Sequence, residues 1–530
     1  MKKIIITTLS VLTACIAAWS QSIDQTVEVS RTYESSLKLT PKPVPVMEVP
    51  DTLLRFDSSF DYSVFDVPYK SSGNLKPYFT DMRIRRSGAA EDKTLYLKAG
   101  LGYRLNPELD FVYTPALKGD TRINVYASNR SYIGEYNFHA PEYDWKGYDS
   151  YTRIGAGGSR AFSGADLSFD VSYRGIWSKN NDSDVAGSYN SLSASAALLQ
   201  RINGTWIYGL SVSAEIGGDS VTSLERLSLT DFDIDGVIGY RYDDHSIYAN
   251  LHYDNASYSG FSSYSAGSLY IAPHYKFERR GYKLDIGVKI STTSRSEHKN
   301  QVIYPDVYIS RVLVRGSLEA YLNATGGNSV LAYKSFKESD PFYNASMGGF
   351  GANCVERFNL ALGLRGNISE VFRYDISAGY RMLDDAPFYA SRESLWRFIA
   401  FSDLKEAYVK GSALYDKRPL LLQADFLLRA ASVSDKENLV LYKPRKSKIN
   451  LKGLYSYKSR IRFGIMAELA SEMENFADGY IDLGLYGEYA SNRKMSLFCR
   501  IGNLLDQKIV SETLVPRSGV FATFGIIFNL

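Results

Sequence analysis

From about residue 94 to residue 530, apolar and polar residues alternate with a period of two. In one segment Leu284, Ile286 and Val288 alternate with Asp285 and Lys289. Successive side chains of a β-strand point to opposite faces, so each such segment has one apolar and one polar face. The pattern returns in residues 94–103, 166–174, 206–214, 461–469 and 481–488. The sequence therefore predicts a long series of amphipathic strands.

The connections between these strands are of two kinds. Some are short pairs of turn-forming residues such as Asp243-Asp244 and Arg280-Gly281, and others are longer polar stretches at residues 178–187, 293–300 and 384–393. Short turns at one rim and longer loops at the other are typical of outer-membrane barrels. With strands of the length that barrels use, residues 94–530 predict an all-β, transmembrane antiparallel β-barrel of roughly 18–22 strands.

A soluble propeller or a set of sandwiches would also show alternation, because one sheet face packs on a core and the other meets water. No repeat of about 40 residues with a blade pattern is visible, which disfavours a propeller. The traceable apolar faces also carry no charge, and this matters most in lipid, where a lysine or arginine at the midplane costs about 2–4 kcal/mol. The pattern therefore favours the membrane barrel.

Charge and hydropathy exclude two other classes of protein. The chain has 61 Lys plus Arg against 58 Asp plus Glu, a formal net charge of +3, and this near-neutral balance argues against nucleic acid as a partner. Past the N-terminus, no apolar run approaches the ~20 residues that a membrane-spanning helix needs. The expected membrane partner is outer-membrane lipid, which strands would contact.

The N-terminus has the form of an export signal. Lys2 and Lys3 precede an apolar stretch over residues 4–18, and the small residues Ala18 and Ser20 precede a cleavage position after Ser20. A bacterial lipoprotein signal ending at Cys15 remains an alternative. The predicted organisation is a signal peptide at 1–20, a periplasmic or lumen-inserted segment at 21–93 and the barrel at 94–530, located in the outer membrane of a Gram-negative cell.

The C-terminal region contains a motif that resembles a known family. The motif is Asn503-Leu504-Leu505-Asp506-Gln507-Lys508, followed by Pro516-Arg517-Ser518-Gly519 and an apolar last strand. It resembles the end of TonB-dependent receptor barrels, especially those of Bacteroidota. The resemblance implies an outer-membrane receptor in solute transport or surface binding. Two departures are Leu530, where an aromatic residue is usual, and a pre-barrel segment too short for the family's full plug domain.

The pre-barrel segment has two features of its own. Thr26, Val27, Glu28, Val29 and Ser30 look like the short box through which the family contacts TonB, although a small residue is usual at the next position. Prolines between residues 41 and 50 then favour an extended chain. We expect either a reduced stopper that enters the lumen or a flexible linker.

Residues that carry chemistry are few and scattered. The five histidines, at positions 139, 245, 252, 274 and 298, have no metal-ligand spacing, and no nucleophile pairs with a base at recognisable spacing. We therefore predict no enzymatic activity, no catalytic or metal residues and no cofactor. One alternative stays open, since Asp231, Asp233 and Asp235 share a strand face and such carboxylates can hold a divalent cation.

The polar strand faces are the main candidate functional surface, because they would line the lumen. Mixed charges on these faces disfavour a selectivity ring of one sign. Two functions are favoured: a transporter or receptor for a solute, with TonB as a partner, or a non-transporting subunit of an envelope assembly, with a surface lipoprotein or envelope complex as its partner. An outer-membrane enzyme is the third and least favoured alternative. The lumen-facing candidates are Lys98, Asp170, Arg174, Asp231, Asp233, Asp235, Lys283, Asp285, Lys289, Arg460, Arg462, Glu468, Asp482 and Glu488.

Overall fold

The computed structural model describes most of the predicted barrel. The described residues are 94–117, 119–136, 146–180, 186–200, 204–220, 225–260, 263–294, 303–343, 353–369, 371–391, 398–434, 440–458, 460–474, 476–510 and 519–530. The predicted signal peptide, the segment 21–93 and the TonB-box-like residues Thr26 to Ser30 lie outside them. No helix among the described residues is long and apolar enough to cross a membrane.

The described residues form 23 strands and one short helix. The strands are β1 (Leu95–Tyr103), β2 (Glu108–Tyr113), β3 (Thr121–Glu135), β4 (Lys146–Ala161), β5 (Ala165–Asn180), β6 (Gly187–Gln200), β7 (Trp206–Ser220), β8 (Arg226–Tyr242), β9 (His245–Gly260), β10 (Tyr264–Arg279), β11 (Tyr282–Ser294), β12 (Ile303–Val314), β13 (Leu318–Val330), β14 (Asn353–Ser369), β15 (Phe372–Ser391), β16 (Phe398–Lys417), β17 (Leu420–Val433), β18 (Val440–Leu441), β19 (Ser447–Tyr457), β20 (Ile461–Ala470), β21 (Tyr480–Ala490), β22 (Met495–Gly502) and β23 (Phe521–Asn529). The helix, α1, spans Tyr333–Ser339.

Twenty-two of these strands form a closed antiparallel barrel. Each pairs with the next along the chain, and β23 pairs with β1, with Leu97 opposite Phe528. The two-residue β18 is outside this ring and pairs with the end of β15. Closure leaves no unpaired sheet edge, which is the condition for strands to exist in lipid. The predicted fold class is confirmed, at the upper end of the expected strand number.

The two faces of the barrel wall follow the alternation in the sequence. On β11, Ile286, Val288 and Ile290 are 44%, 40% and 51% exposed, while Lys289 and Ser291, on the opposite face, are largely or fully buried. We call the exposed apolar face the outer face and the opposite one the inner face. Because similar exposed Leu, Ile and Val side chains recur on most strands, the outer face is apolar around the wall.

The two rims differ in their connections. At the short-turn rim, Arg280 and Gly281 alone join β10 to β11, and both have positive φ, the backbone geometry that two-residue hairpins favour. The long-loop rim carries the longer connections, including residues 331–352 between β13 and β14. The loop expected at residues 384–393 was wrong in extent. There β15 continues to Ser391, because after a register shift it stays paired with β16 up to Ala390.

The C-terminal motif forms a compact turn before the last strand. Asn503 has a positive φ, its side-chain amide donates to the Gln507 carbonyl oxygen (2.9 Å), and its Oδ1 accepts the Gln507 N–H (3.0 Å). Asp506 then accepts the backbone N–H of Val520, where the chain approaches β23. Asparagine tolerates positive φ better than most residues. The motif therefore forms a turn whose hydrogen bonds position the chain at the start of β23.

Candidate functional site in the barrel interior

One segment of the long-loop rim lies inside the barrel. Residues 331–343, which include α1 and which we call the mouth segment, follow β13 but contact the inner faces of β5, β7 and β9. These strands are at least four positions away from β13 in the ring. The mouth segment therefore extends across the interior instead of folding over the nearest strands.

Ion pairs hold the mouth segment to the wall. Lys337 Nζ is 3.0 Å from Asp219 Oδ2, and the two side chains are 1% and 0% exposed. The hydroxyl of Tyr333 donates to the same carboxylate at 2.5 Å. Lys334 Nζ is 2.7 Å from Glu215 Oε2. The basic groups of α1 thus meet carboxylates on β7.

A further charge contact and two backbone contacts complete the attachment. Arg174 on β5 forms an ion pair with Glu338 of α1. The Ser178 hydroxyl donates to the Pro341 carbonyl oxygen, and the Tyr258 hydroxyl accepts the Tyr333 N–H at 2.7 Å. A buried polar backbone needs such partners, and the inner faces of β5 and β9 supply them.

An apolar cluster lies beneath these polar contacts. Tyr333, Phe336 and Tyr343 of the mouth segment pack with buried side chains from both sides of the interior. The wall residues in this cluster are Ile176, Tyr189, Leu227, Leu229, Ala256, Tyr258, Cys354, Leu383, Ala386, Phe388, Ile399, Leu404 and Val433. Burial of aromatic side chains is a large stabilising contribution. Part of the interior at the long-loop rim is therefore a packed core.

The adjacent wall carries a patch of histidines and carboxylates. On β9 and β8, His252 Nδ1 is 2.7 Å from Asp235 Oδ1 and 3.7 Å from Asp233 Oδ2. On β10, His274 contacts Asp285 of β11 (2.9 Å) and Asp306 of β12 (3.4 Å) through its two ring nitrogens. Histidines that the sequence showed as isolated therefore meet carboxylates from neighbouring strands.

The chain offered a signal for the His252 contact that sequence reasoning missed. β8 and β9 are joined by the two residues Asp243 and Asp244, so counting outward from this turn pairs Asp235 with His252. The observed register is this one, and it also places Asp233 opposite Asp254. A two-residue turn fixes hairpin register, so this part of the site was predictable.

The lumen-facing candidates on strands lie on the inner face, and most of them contact polar groups of other strands. Lys98 pairs with Glu108 (3.2 Å), and Lys289 pairs with Asp306 (3.4 Å). Most of the remaining pairs join neighbouring strands: Asp170 with Arg153 and Tyr126, Arg174 with Glu215, Lys283 with Glu278, Asp285 with Tyr248, Arg462 with Glu488, Glu468 with Lys448 and Tyr480, and Asp482 with the Asn503 N–H.

One candidate lies elsewhere. Arg460 is an exposed residue of the turn that joins β19 to β20 at the short-turn rim, not a strand residue. The strand begins one residue later, at Ile461, because the Arg460 N–H closes the turn on the Tyr457 carbonyl oxygen. Arg460 therefore does not contribute to the inner face of the strand.

The mouth segment is the main feature that sequence reasoning missed. The expectation of uninterrupted strand pattern from residue 94 to the C-terminus was wrong at α1. Seven residues give less than two helical turns, too few for an apolar period to stand out. Its wall partners Glu215 and Asp219 are distant in sequence and were also missed.

Among the described residues, one set of side chains is close enough to hold a metal ion. It consists of Asp233, Asp235 and His252, whose ligand atoms lie within 4.8 Å of one another. Histidine nitrogen and carboxylate oxygen are common ligands for divalent transition metals. Cys354 and Cys499 are far from this set in the chain, and they form no disulfide.

The comparisons with known proteins rest on structure alone. No family model matches this chain, and no curated protein matches it in sequence. Among solved structures, the FrpB iron transporter of Neisseria meningitidis (F5-1 variant, apoprotein form) is similar with a TM-score of 0.63 and 9% identity, covering 83% of this chain and 81% of that one.

Two further structures show the same likeness. The copper transporter OprC has a TM-score of 0.63 at 10% identity, with 82% and 80% of the two chains covered. The ferric-catecholate import receptor Fiu of Escherichia coli K12 has a TM-score of 0.60 at 7% identity, with 83% and 82% covered. At such low identity these similarities show that this chain has the same barrel fold.

Proposed function

We propose that this protein is an outer-membrane barrel that receives or passes a solute and is related to TonB-dependent receptors. The observation that carries the proposal is an inner wall of paired charges and tyrosines whose long-loop end is occupied by the mouth segment. A barrel of this strand number encloses a lumen wide enough for a channel unless something fills it. Because ion pairs hold part of the mouth segment, a change in these charges can release it from the wall. A plug held by apolar contacts alone could not be released in this way.

The two wall faces support the proposed location. The outer face exposes Leu, Ile and Val side chains around the barrel, and lipid is the environment in which such a surface is stable. The solved structures with this fold include two transporters and an import receptor. These properties support residence in the outer membrane and favour transport or binding over catalysis.

The finer part of the proposal concerns residues 21–93. We assign them to a periplasmic or lumen-inserted segment that acts as a reduced plug, with residues 26–30 as the contact for TonB. If this segment enters the lumen, it is a second barrier in addition to the mouth segment. The resemblance of the C-terminal motif to Bacteroidota receptors supports the same family.

The second candidate is a non-transporting subunit of an envelope assembly. The packed apolar cluster beneath the mouth segment favours it, because a core with buried aromatic side chains resists opening. In this case the barrel anchors partner proteins, such as a surface lipoprotein, and no solute passes.

Conductance in planar lipid bilayers separates the two candidates. The samples are the full mature chain, Lys337→Met, a deletion of residues 21–93, and the two changes combined. Passage predicts a closed wild type and steady conductance once the barriers are removed, with the combined variant highest. Lys283→Met is the control, since it removes the same charge from the opposite rim. If none of the five proteins conducts ions when it is inserted in the bilayer, passage is refuted and the non-transporting subunit is the correct candidate.

A further inference from the structure

Two neighbouring strands bring four carboxylates and one imidazole together on the inner face. Asp231, Asp233 and Asp235 follow one another at every second position of β8. On β9, Asp254 lies directly opposite Asp233, and His252 lies directly opposite Asp235. Because side chains directly opposite in an antiparallel pair are close neighbours, all five groups share one small area of wall.

Three of these groups have the arrangement of metal ligands. His252 Nδ1 lies 2.7 Å from Asp235 Oδ1 and 3.7 Å from Asp233 Oδ2. Metal–ligand bonds to nitrogen and oxygen are ~2.0–2.2 Å, so ligand atoms around one ion are ~3–3.5 Å apart. Small rotations of these three side chains would bring their ligand atoms to the spacing found around one metal ion. The Tyr270 ring, 5.0 Å from the imidazole centroid, limits how the histidine turns.

The carboxylates in this area outnumber the basic groups of the described residues that pair with them. Asp233 and Asp254 are like charges in directly opposite positions, which is destabilising. Among the described residues, no Lys or Arg forms an ion pair with Asp231, Asp233 or Asp254, and Asp231 Oδ1 is buried without a hydrogen-bond partner. Lys334, from the mouth segment, is bonded to Glu215 instead. A cation at this point would remove the repulsion.

The neighbouring histidine shows what a balanced site looks like in the same wall. His274 has a carboxylate at each ring nitrogen, and Lys289 is 3.4 Å from one of them, Asp306. At that site, the carboxylates of Asp285 and Asp306 face the Lys289 ammonium group and the His274 imidazole, which can accept a proton. The His252 area has four carboxylates and one imidazole, and no lysine of the described residues forms an ion pair with Asp231, Asp233 or Asp254 as Lys289 does with Asp306.

We propose that Asp233, Asp235 and His252 bind a divalent first-row transition-metal ion, with Asp254 next to it as a further carboxylate. An imidazole ligand favours ions such as Zn²⁺, Fe²⁺, Co²⁺ and Ni²⁺ over Mg²⁺ and Ca²⁺, which prefer all-oxygen sites. The ion joins β8 to β9 at the inner face. This site does not depend on passage through the barrel, since a scaffold can hold the same ion.

The test is Zn²⁺ binding to the tag-free mature chain in detergent, stripped with a chelator and measured by calorimetry in excess Mg²⁺. The wild type is expected to bind one equivalent of Zn²⁺. The substitutions His252→Ala and Asp233→Asn should each lower the Zn²⁺ affinity by at least 10-fold to 100-fold. Co²⁺ provides a second readout, because ligation by His252 adds absorption bands that His252→Ala removes.

His245→Ala is the matched control, because this histidine is on the same strand but at the short-turn rim, where its Nδ1 contacts the Tyr275 hydroxyl (2.6 Å). Its Zn²⁺ affinity should equal that of the wild type. Mobility of the unboiled protein in gel electrophoresis checks that each variant is a folded barrel. Equal affinity in the wild type and His252→Ala, or no stoichiometric binding by the folded wild type, overturns the proposal.

Discussion

The ion pair between Lys337 and Asp219 provides the sharpest test of how the mouth segment is held. Lys337→Met keeps most of the side-chain volume and removes the charge. Among the described residues, the Asp219 carboxylate, 0% exposed, then keeps only the Tyr333 hydroxyl and the Ser188 N–H (3.0 Å) as partners. Removing one member of a buried ion pair costs about 3–5 kcal/mol.

The barrel wall can avoid this cost by releasing the mouth segment, which lets water reach Asp219. A cost of about 3 kcal/mol raises the released population by about 150-fold. Lys334→Met is the matched comparison, since its ion pair with Glu215 is partly exposed, at 25% for the lysine. For that variant we expect about 1 kcal/mol, or about fivefold.

Cys354 is a natural reporter of this release. It is 1% exposed and belongs to the apolar cluster that the mouth segment covers. In a Cys499→Ser background, the rate at which a maleimide labels Cys354 reports how often the segment opens. Labelling should increase by about 150-fold or more in Lys337→Met and return toward the wild-type rate when Asp219→Asn is added, because the uncompensated charge is then gone.

A wild-type labelling rate in Lys337→Met would refute this reasoning, provided that the protein labels fully when unfolded. It would mean that the apolar cluster alone holds the segment. Equal acceleration in Lys337→Met and Lys334→Met would also contradict it, because the two ion pairs differ in burial.

Two other predictions test the wall and its closure. Val288→Arg, at the centre of the outer face of β11, should destabilise the barrel in lipid vesicles by about 2–4 kcal/mol. Tyr282→Arg, at the rim of the same strand, should cost about 0–1 kcal/mol. Equal urea-unfolding midpoints for the two variants would argue against lipid on that face. Asn503→Ala loses two hydrogen bonds to Gln507 and should cost about 1–3 kcal/mol in the same assay. Asn503→Gly, which loses the same bonds but takes the positive φ without strain, should lose less than Asn503→Ala, and an unchanged stability of both variants would contradict the role assigned to this turn.

Some of the interior was accessible to sequence reasoning because its geometry is local. The row of aspartates on β8 follows from alternation, and the two-residue Asp243-Asp244 turn fixes the register with β9. The contact between His252 and Asp235 therefore required only counting from the turn. Arg460 shows the limit of such counting, since a strand boundary that is displaced by one residue moves a side chain out of the wall.

The mouth segment was not accessible in the same way. Tyr333 and Asp219 are 114 residues apart in sequence, and nothing in either neighbourhood specifies the other. The short helix is stable only because the wall supplies carboxylates and an apolar cluster, since an isolated helix of seven residues is not stable in water. Its formation therefore depends on the closed barrel.

The sequence by itself determined the strand type, the apolar outer face and the charged inner face. These properties depend on neighbours two residues apart, and the period of two encodes them directly. Only the tertiary structure decided that β23 meets β1, that residues 331–343 lie inside the barrel, and which charges pair there. Those contacts join residues far apart in the chain, and their free energy exists only when the barrel has closed.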